Sequence, residues 1–450
     1  MLTKPVLPKE AEYILKTLND NGHEAYIVGG CVRDSIMGRM PADWDIATSA
    51  TPQEVKGLFA RTVDTGIKHG TVTVLSGGDS FEVTTFRVDG RYEDSRRPSS
   101  VSYTGSVEAD LSRRDFAMNA IAYHPEAGFI DPFGGIGDIA GKLIRTVGNA
   151  DDRFREDALR MLRAVRFSAQ LDFVVDSAAL DSIKNNCRLI KNISSERIRD
   201  ELTRILTSGN PGRFGLLRDT GLLRYIMPEF EPCFHTPQNN PYHIYNVAEH
   251  SLHAMEAIEN DSCLRWAALL HDIGKAATRT TDDRGIDHFY GHPGKSADIA
   301  ETILKRLRFD NAGSGRILRL VRLHDRQILP DQRSVARAVC ALGGDVFEDL
   351  LKLKRADKMA QNPEYKEEGL KTVAEIEGIY SELKRSGQCL DLKDLAVNGR
   401  DLMEIGLPQG REIGRLLELL LERVVDDPGL NRKDRLLELA ERLKTSGWRD

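Results

Sequence analysis

Apolar residues recur at helical spacing from Ala11 to Leu18, and the run 24–28 that follows is rich in apolar and aromatic residues and ends in Gly29-Gly30. This order predicts a helix, a strand and then a glycine turn into a second helix carrying Arg33-Asp34. Residues 43–47 read as a short strand. Residues 71–75 and 81–88 read as two strands of a hairpin across Gly77-Gly78-Asp79, which has turn chemistry. The first part of the chain is therefore expected to be α/β, with a mixed or antiparallel sheet. From Arg153 onward the alternating signal disappears, and nearly every periodic stretch has helical spacing, punctuated at Gly209-Asn210-Pro211, Pro228, 237–241 and Pro330. The remaining two thirds should be all helical, with no repeat, low-complexity run or long linker.

A chain of 450 residues exceeds what one hydrophobic core usually serves, so two to four domains are expected. No segment approaches the roughly 20 apolar residues that span a bilayer. The stretch Met1 to Glu10 is charged, carries Pro5 and Pro8 and lacks an apolar signal core. A cytoplasmic location with no membrane partner follows as the expectation. Cys31, Cys187, Cys233, Cys263, Cys340 and Cys389 show no CxxC spacing, which argues for reduced thiols over a zinc knuckle or disulfide framework. The net charge of −6 means that any RNA contact must come from local basic patches on an acidic body.

In Asp43-Trp44-Asp45 two carboxylates lie at i and i+2 of the expected strand, where side chains share a face. Such a pair can hold two divalent ions for phosphoryl transfer, although a lone DxD is also common on solvated loops. Upstream, Gly29-Gly30 would let backbone N–H groups approach a triphosphate at a helix start, or simply make a turn. Glu82, on a strand beside the aspartates, reads equally as a third metal-directed carboxylate and as an exposed glutamate. Arg113-Arg114 suits triphosphate oxygens. In the segment 156–167, Asp157, Arg160, Arg163 and Arg166 recur every third residue along an otherwise apolar helix. They drift slowly around one side of it and line a cleft for something anionic, or else form internal salt bridges.

Taken together, Gly29-Gly30-Cys31-Val32-Arg33-Asp34, Asp43-x-Asp45, the loop from Asp89-Gly90-Arg91 to Arg96-Arg97-Pro98, Arg113-Arg114-Asp115-Phe116-x-x-Asn119-Ala120 and Glu156-Asp157-x-x-Arg160 resemble the class II tRNA nucleotidyltransferases, which include bacterial poly(A) polymerases. Order and spacing agree over roughly the first 210 residues; Trp44 between the aspartates and Ala117 in place of Thr are small departures. The resemblance implies Mg2+ on Asp43 and Asp45; Glu82 stands beside them as a catalytic carboxylate only by its strand position. It implies nucleotide contacts from Gly30, Arg33, Arg114, Arg163 and Arg166, with Gly29 added from the glycine-turn reading, and base selection by Asp157 and Arg160. The loop from Asp89 to Val101, by the same resemblance, favours addition of the terminal A.

Further on, Glu249-His250-Ser251-Leu252 and His271-Asp272-Ile273-Gly274-Lys275 resemble an HD phosphohydrolase domain. That resemblance implies a transition metal (Mn, Ni or Co) on His250, His271, Asp272, His292 and His324, completed by Asp325 or Asp357, with Asp325 preferred. Residues 397–431 resemble the helical tail of related enzymes, with Gly399-Arg400-Asp401-Leu402 at a helix start. The expected fold is α+β: a mixed-sheet nucleotidyltransferase head (1–145), then an all-α neck (146–225), HD domain (226–370) and tail (371–450). The expected partners are tRNA, CTP and ATP, with no DNA. The expected activity is template-independent CCA addition with pyrophosphate release, accompanied by phosphohydrolysis at the HD site. The other readings are A-only or poly(A) addition, and a phosphohydrolase whose head only binds RNA.

Overall fold

A computed structural model describes residues 4–90 and 100–445. The chain forms two compact units, residues 1–231 and 232–450. The first opens with helix α1 (Lys9–Asp20), whose Ala11, Ile14, Leu15 and Leu18 are buried. Next come strand β1 (Ala25–Val28) and helix α2 (Gly30–Ile36). Strands β2 (Asp45–Thr48), β3 (Thr62–Gly66), β4 (Thr71–Ser76), β5 (Asp79–Thr85), β6 (Ala122–His124) and β7 (Gly128–Ile130) complete a sheet of order β3-β4-β5-β2-β1-β6-β7. Only β2 and β5 run parallel, so the sheet is mixed, and their register sets Asp45 beside Glu82. The two-residue turn Gly77-Gly78 joins β4 to β5, with Ser76 paired to Asp79. Val28, Ala47, Phe86, Leu111, Ala120 and Ala122 pack together beneath the sheet.

Two sequence expectations shift here. The strand starts at Asp45, so Asp43 lies in the turn that precedes it. The helix expected through Glu156 to Phe167 is broken into α3 (Ala150–Glu156) and α4 (Leu159–Leu171), because Asp157 takes an extended conformation with φ −136° and ψ 104°. Its own carboxylate accepts from Leu159 N at 3.0 Å, the short-range competition that lets Asp start a helix rather than continue one. Helix α5 (Ser195–Leu206) packs against α4.

The second unit is mainly helical. Its core elements are α6 (Val247–Ala257), α7 (Ser262–Leu270), α8 (His292–Arg306), α9 (Asn311–Leu323), α10 (Gly344–Met359) and α11 (Lys366–Arg385), around Trp266 and Phe347. A separate apolar cluster holds the tail, where Leu402, Leu416, Leu420 and Leu436 meet. Asn398 and Asp401 form a reciprocal cap at the start of the helix Gly399–Glu404, as the sequence there suggests. The all-helical expectation misses two short pairings: Val174–Val175 lies parallel to Leu143–Ile144, and Thr280–Thr281 pairs with Asp287–His288. Two-residue strands are too short to leave an alternation in sequence. Of the loop from Asp89 to Val101, expected to favour A addition, residues 91–99 lie outside the described residues.

One close approach positions the cleft of the first unit. Gly135 packs on the short turn Ala117–Asn119, and a Cβ there would lie 2.7 Å from the Ala117 carbonyl carbon. Gly135→Ala should therefore lower the urea midpoint at unchanged slope, by about 1–3 kcal/mol of stability; a midpoint equal to the parent's would mean that this backbone contact is slack.

Candidate functional site

In the first unit a cleft of ≈ 440 Å³ is lined by Gly29, Gly30, Arg33, Asp43, Asp45, Arg114, Asp157, Arg160 and Arg163, all singled out from sequence. Arg113, Asp115, Asn119, Phe167 and Arg197 line it as well. Gly29 has φ +83°, and a Cβ there would sit 2.7 Å from Arg114 Nη1, so the left-handed turn and the guanidinium need the same missing side chain. Arg33 Nη1 donates to Asn119 Oδ1 at 2.6 Å, and Asn119 Nδ2 donates to Asp115 Oδ1 at 3.2 Å. Arg163 Nε reaches Asp115 Oδ2 at 2.7 Å. Burial would raise the Asp115 carboxyl, but Arg163 and Arg160 outweigh it and hold it at about 2.

Asp45 has the opposite balance. Burial first, then the neighbouring Asp43, push its carboxyl up to about 6; Arg114 opposes and Glu82 adds to the rise. The parallel register puts Glu82 on the same sheet face as Asp45, outside the cleft lining. Three carboxylates that repel one another, with one guanidinium to offset them, form an oxygen-donor set suited to hard divalent cations such as Mg2+.

Asp157 Oδ1 accepts from Leu159 N and Oδ2 from Arg197 Nη2, both at 3.0 Å. Arg160 donates to Glu156 Oε2 at 2.6 Å, to Arg113 O at 2.9 Å and to Arg153 O at 3.2 Å. These three bonds leave two of its five N–H donors for a ligand. Arg166 departs from expectation: it is 5% exposed, pairs with Glu201 through Nε at 3.2 Å and does not line the cleft. For this arginine the internal salt bridge is what forms. Phe167 gathers Arg33, Arg163 and Arg166 over its ring at 4.3–5.3 Å. Neither Phe167 nor Arg197 was singled out from sequence; Arg197 comes from a helix 40 residues beyond Asp157, and no local pattern links the two.

In the second unit His250, His271, Asp272, His292 and His324 converge. Asp272 Oδ2 lies 3.2 Å from His271 Nε2 and 3.5 Å from His250 Nε2. Asp272 Oδ1 lies 3.3 Å from His292 Nε2 and 3.4 Å from His324 Nε2. Two ligand sets thus share one carboxylate. Every Nδ1 faces a backbone carbonyl: His271 to Ala268 and His324 to Val321 at 2.7 Å, His292 to Phe289 at 2.8 Å, His250 to Ala360 at 3.3 Å. A carbonyl only accepts, so these contacts assign the proton to Nδ1 and turn the Nε2 lone pairs inward. His271 Nε2 and Asp272 Oδ1 are buried without a hydrogen bond, and His292 Nε2 faces His324 Nε2 at 3.1 Å. Lone pairs aimed at each other in this way fit a bound cation, and the imidazole-carboxylate donor set fits a transition metal.

The preference for Asp325 is corrected. Asp325 is exposed on the cavity rim, whereas Asp357 Oδ1 lies 2.9 Å from His250 Nε2 and 3.8 Å from His271 Nε2. The carboxylate that closes the set comes instead from α10, which carries Asp357 beside His250.

Family profiles match at 25–145 (poly A polymerase head domain), 172–234 (probable RNA and SrmB-binding site of polymerase A) and 242–364 (HD domain). The CCA-adding enzyme of Geobacillus thermodenitrificans is 38% identical over 443 residues, 97% of this chain and 98% of that protein. The CCA-adding enzyme of Lactobacillus johnsonii is 50% identical over 210 residues, 46% of this chain and 53% of its own length. Among solved structures, the Bacillus stearothermophilus CCA-adding enzyme in complex with CTP superposes with a TM-score of 0.73 at 30% identity, covering 99% of this chain and 100% of that one.

The raised Asp45 carboxyl gives a signed expectation. A group whose folded pKa of about 6 exceeds its unfolded value near 4 gives stability below the unfolded value that is lost as pH rises through 6. Without divalent ions at pH 8, Asp45→Asn should therefore stabilise the fold by about 1–2 kcal/mol after solvent screening, read as a higher melting temperature. The gain should vanish near pH 4. Thermal melts of both proteins across pH 4–8 in chelator check this, and a gain independent of pH would assign the effect to packing.

Proposed function

The chain belongs to the CCA-adding enzymes, a family of nucleotidyltransferases, and on that premise we propose that it builds the 3′-terminal CCA of tRNA from CTP and ATP without a nucleic-acid template. The observation that carries this reading is that Asp43 and Asp45 share one cleft with Arg114 and with the Asp157-Arg160 pair. Asp43, Asp45 and Glu82 would hold two Mg2+ ions, which supply a lowered pKa for the tRNA 3′-hydroxyl and charge neutralisation for the leaving pyrophosphate. Arg33, Arg114 and Arg163 bind triphosphate oxygens. They do so on a chain of net charge −6, as a local basic patch. The head (1–145), neck (146–225), HD domain (226–370) and tail (371–450) remain our division of the chain, with the tail as a tRNA contact.

Base choice rests on one carboxylate and one guanidinium. Cytosine and adenine each present an amino donor beside a ring-nitrogen acceptor; uracil and guanine present the reverse. Asp157 accepts from the amino group with the lone pairs left by Leu159 and Arg197, while Arg160 donates one of its two remaining N–H groups to the ring nitrogen. A wrong base leaves two polar groups mismatched, each costing about 1–3 kcal/mol. Asp157→Ala should therefore admit UTP relative to CTP rather than lose activity evenly. Steady-state incorporation of all four nucleotides on tRNA ending before and after the two cytidines measures this, and an unchanged CTP to UTP ratio would remove Asp157 from base selection.

A second activity is favoured by the inward Nε2 lone pairs and the shared Asp272 of the HD site. We infer metal-dependent hydrolysis of phosphate esters at tRNA 3′ ends, with Mn, Ni or Co on His250, His271, Asp272, His292, His324 and Asp357. His271→Ala combined with Asp272→Asn should abolish that hydrolysis and leave nucleotide addition within about twofold. Absence of hydrolysis in the unmutated protein with each of these metals would reduce the HD domain to a structural role.

A further inference from the structure

Resting on the nucleotidyl-transfer reading of the first unit's cleft, we propose that Asp110, a buried carboxylate outside the cleft lining, is a positioning residue that holds the phosphate-binding arm at Arg114 and the base-reading arm at Arg160 in one geometry. Asp110 stands in the short helix Val107–Ser112 and is 0% exposed. Its Oδ1 accepts from Arg113 Nε at 3.0 Å, from Arg113 Nη2 at 2.7 Å and from Arg87 N at 3.3 Å. Its Oδ2 accepts from Arg114 Nη2 at 3.4 Å. Both arginines line the cleft, and Asp110 does not. One buried anion therefore carries two guanidinia to the cleft wall, and a charge so placed keeps its partners because neither it nor they can be rehydrated there.

The bonds are unequal, and the inequality gives the two arginines different parts. Arg113 is held by two short bonds to one oxygen, and its own carbonyl accepts from Arg160 Nη2 at 2.9 Å. The carbonyl of Ser112, one residue earlier, accepts from Arg153 Nη1 at 3.1 Å. Fixing Arg113 thus fixes the backbone against which the Arg160 guanidinium is turned. Arg114 is held more loosely. Its bond to Asp110 is long and is its one side-chain hydrogen bond among the described residues, while its Nε is buried without a hydrogen bond. Four of its five N–H donors are therefore uncommitted. The missing side chain at Gly29 leaves Nη1 its room on the other side. A guanidinium tethered at one corner, with most of its donors spare, suits triphosphate oxygens. Asp110 supplies that tether and, through Arg113, the orientation of the base-reading arginine.

Two substitutions separate the arms. In Asp110→Asn the position surrounded by three donors selects the amide oxygen, so the amide nitrogen turns toward Arg114, donor against donor. KM for CTP, and for ATP on tRNA ending in CC, should rise roughly three- to tenfold, with the CTP to UTP preference kept within about twofold. Asp110→Ala frees Arg113 as well, so that preference should also fall, by roughly tenfold. Steady-state incorporation by the full chain measures both, beside Arg114→Ala and the double variant Asp110→Asn/Arg114→Ala. The double variant should show the KM of Arg114→Ala alone, whereas a general loss of structure would make the two effects multiply. An unchanged KM in Asp110→Asn, or effects that multiply, overturns the proposal, as does an unchanged CTP to UTP preference in a folded Asp110→Ala. Should Asp110→Ala fail to fold, Asp110→Asn and the double variant decide through KM. An unchanged KM in Arg114→Ala overturns the reading of Arg114 as a triphosphate ligand, and the role of Asp110 with it.

Discussion

A carboxylate removed from water must be matched by positive charge or stay protonated, and the cleft of the first unit is organised around one that is matched. Asp115 is 7% exposed and accepts from Arg163, Asn119 and the backbone of Phe116. Asn119, which donates from its amide nitrogen to Asp115, uses its amide oxygen to accept from Arg33. One buried anion therefore fastens together the helix after the glycine turn, the short turn at Ala117–Asn119 and the long helix α4. Were Asp115 neutral, Arg163 would lose its counter-charge and Arg33 its indirect anchor, and both guanidinia would have to be ordered by the ligand itself. Ordering rotamer-rich side chains at binding costs about 0.5–1.5 kcal/mol each, so a cleft that has already fixed them would take up an anionic ligand with less loss.

The features legible in sequence are those whose chemistry and geometry are local. A strand, a glycine turn and a helix can be read from residues 24–36, the hairpin from Gly77-Gly78, and the paired carboxylates from Asp43-x-Asp45, because each depends on neighbours a few residues away. Arg166 shows where this stops. A three-residue spacing on a helix of 3.6 residues per turn falls back about 60° at each step, so Arg166 stands about 120° from Arg160. That rotation carries it away from the cleft and onto Glu201. The break at Asp157 is likewise invisible to periodicity, since no Gly or Pro marks it; the carboxylate turns onto Leu159 N instead. Arg197 and Asp357 reach their sites from other helices, and only tertiary packing brings them there.

The HD site illustrates how one local rule can serve two ends. Helices α7 and α9 finish at Leu270 and Leu323, and the last carbonyls of any helix lack intrahelical donors. His271 and His324 sit immediately after those ends and give their Nδ1 protons to Ala268 and Val321 in the final turns. The same bond satisfies the helix and fixes the tautomer that presents Nε2 inward. A histidine one residue earlier or later would project in another direction, so the spacing of these imidazoles is tied to where the helices stop.

The two sites differ in the atoms they offer, and that difference separates their chemistries. The cleft of the first unit gathers carboxylate oxygens alone, which suit a hard, strongly hydrated cation that keeps water and phosphate oxygens as further ligands. The HD site adds four imidazole nitrogens to its carboxylates, which raises affinity along the transition-metal series and disfavours Mg2+. A nucleotidyl transfer whose product is pyrophosphate gains nothing from an activated water, whereas hydrolysis requires one. The imidazole-carboxylate set stands on and at the ends of helices in the second unit, and the oxygen-only set at the sheet of the first, so the two donor sets have no residue in common.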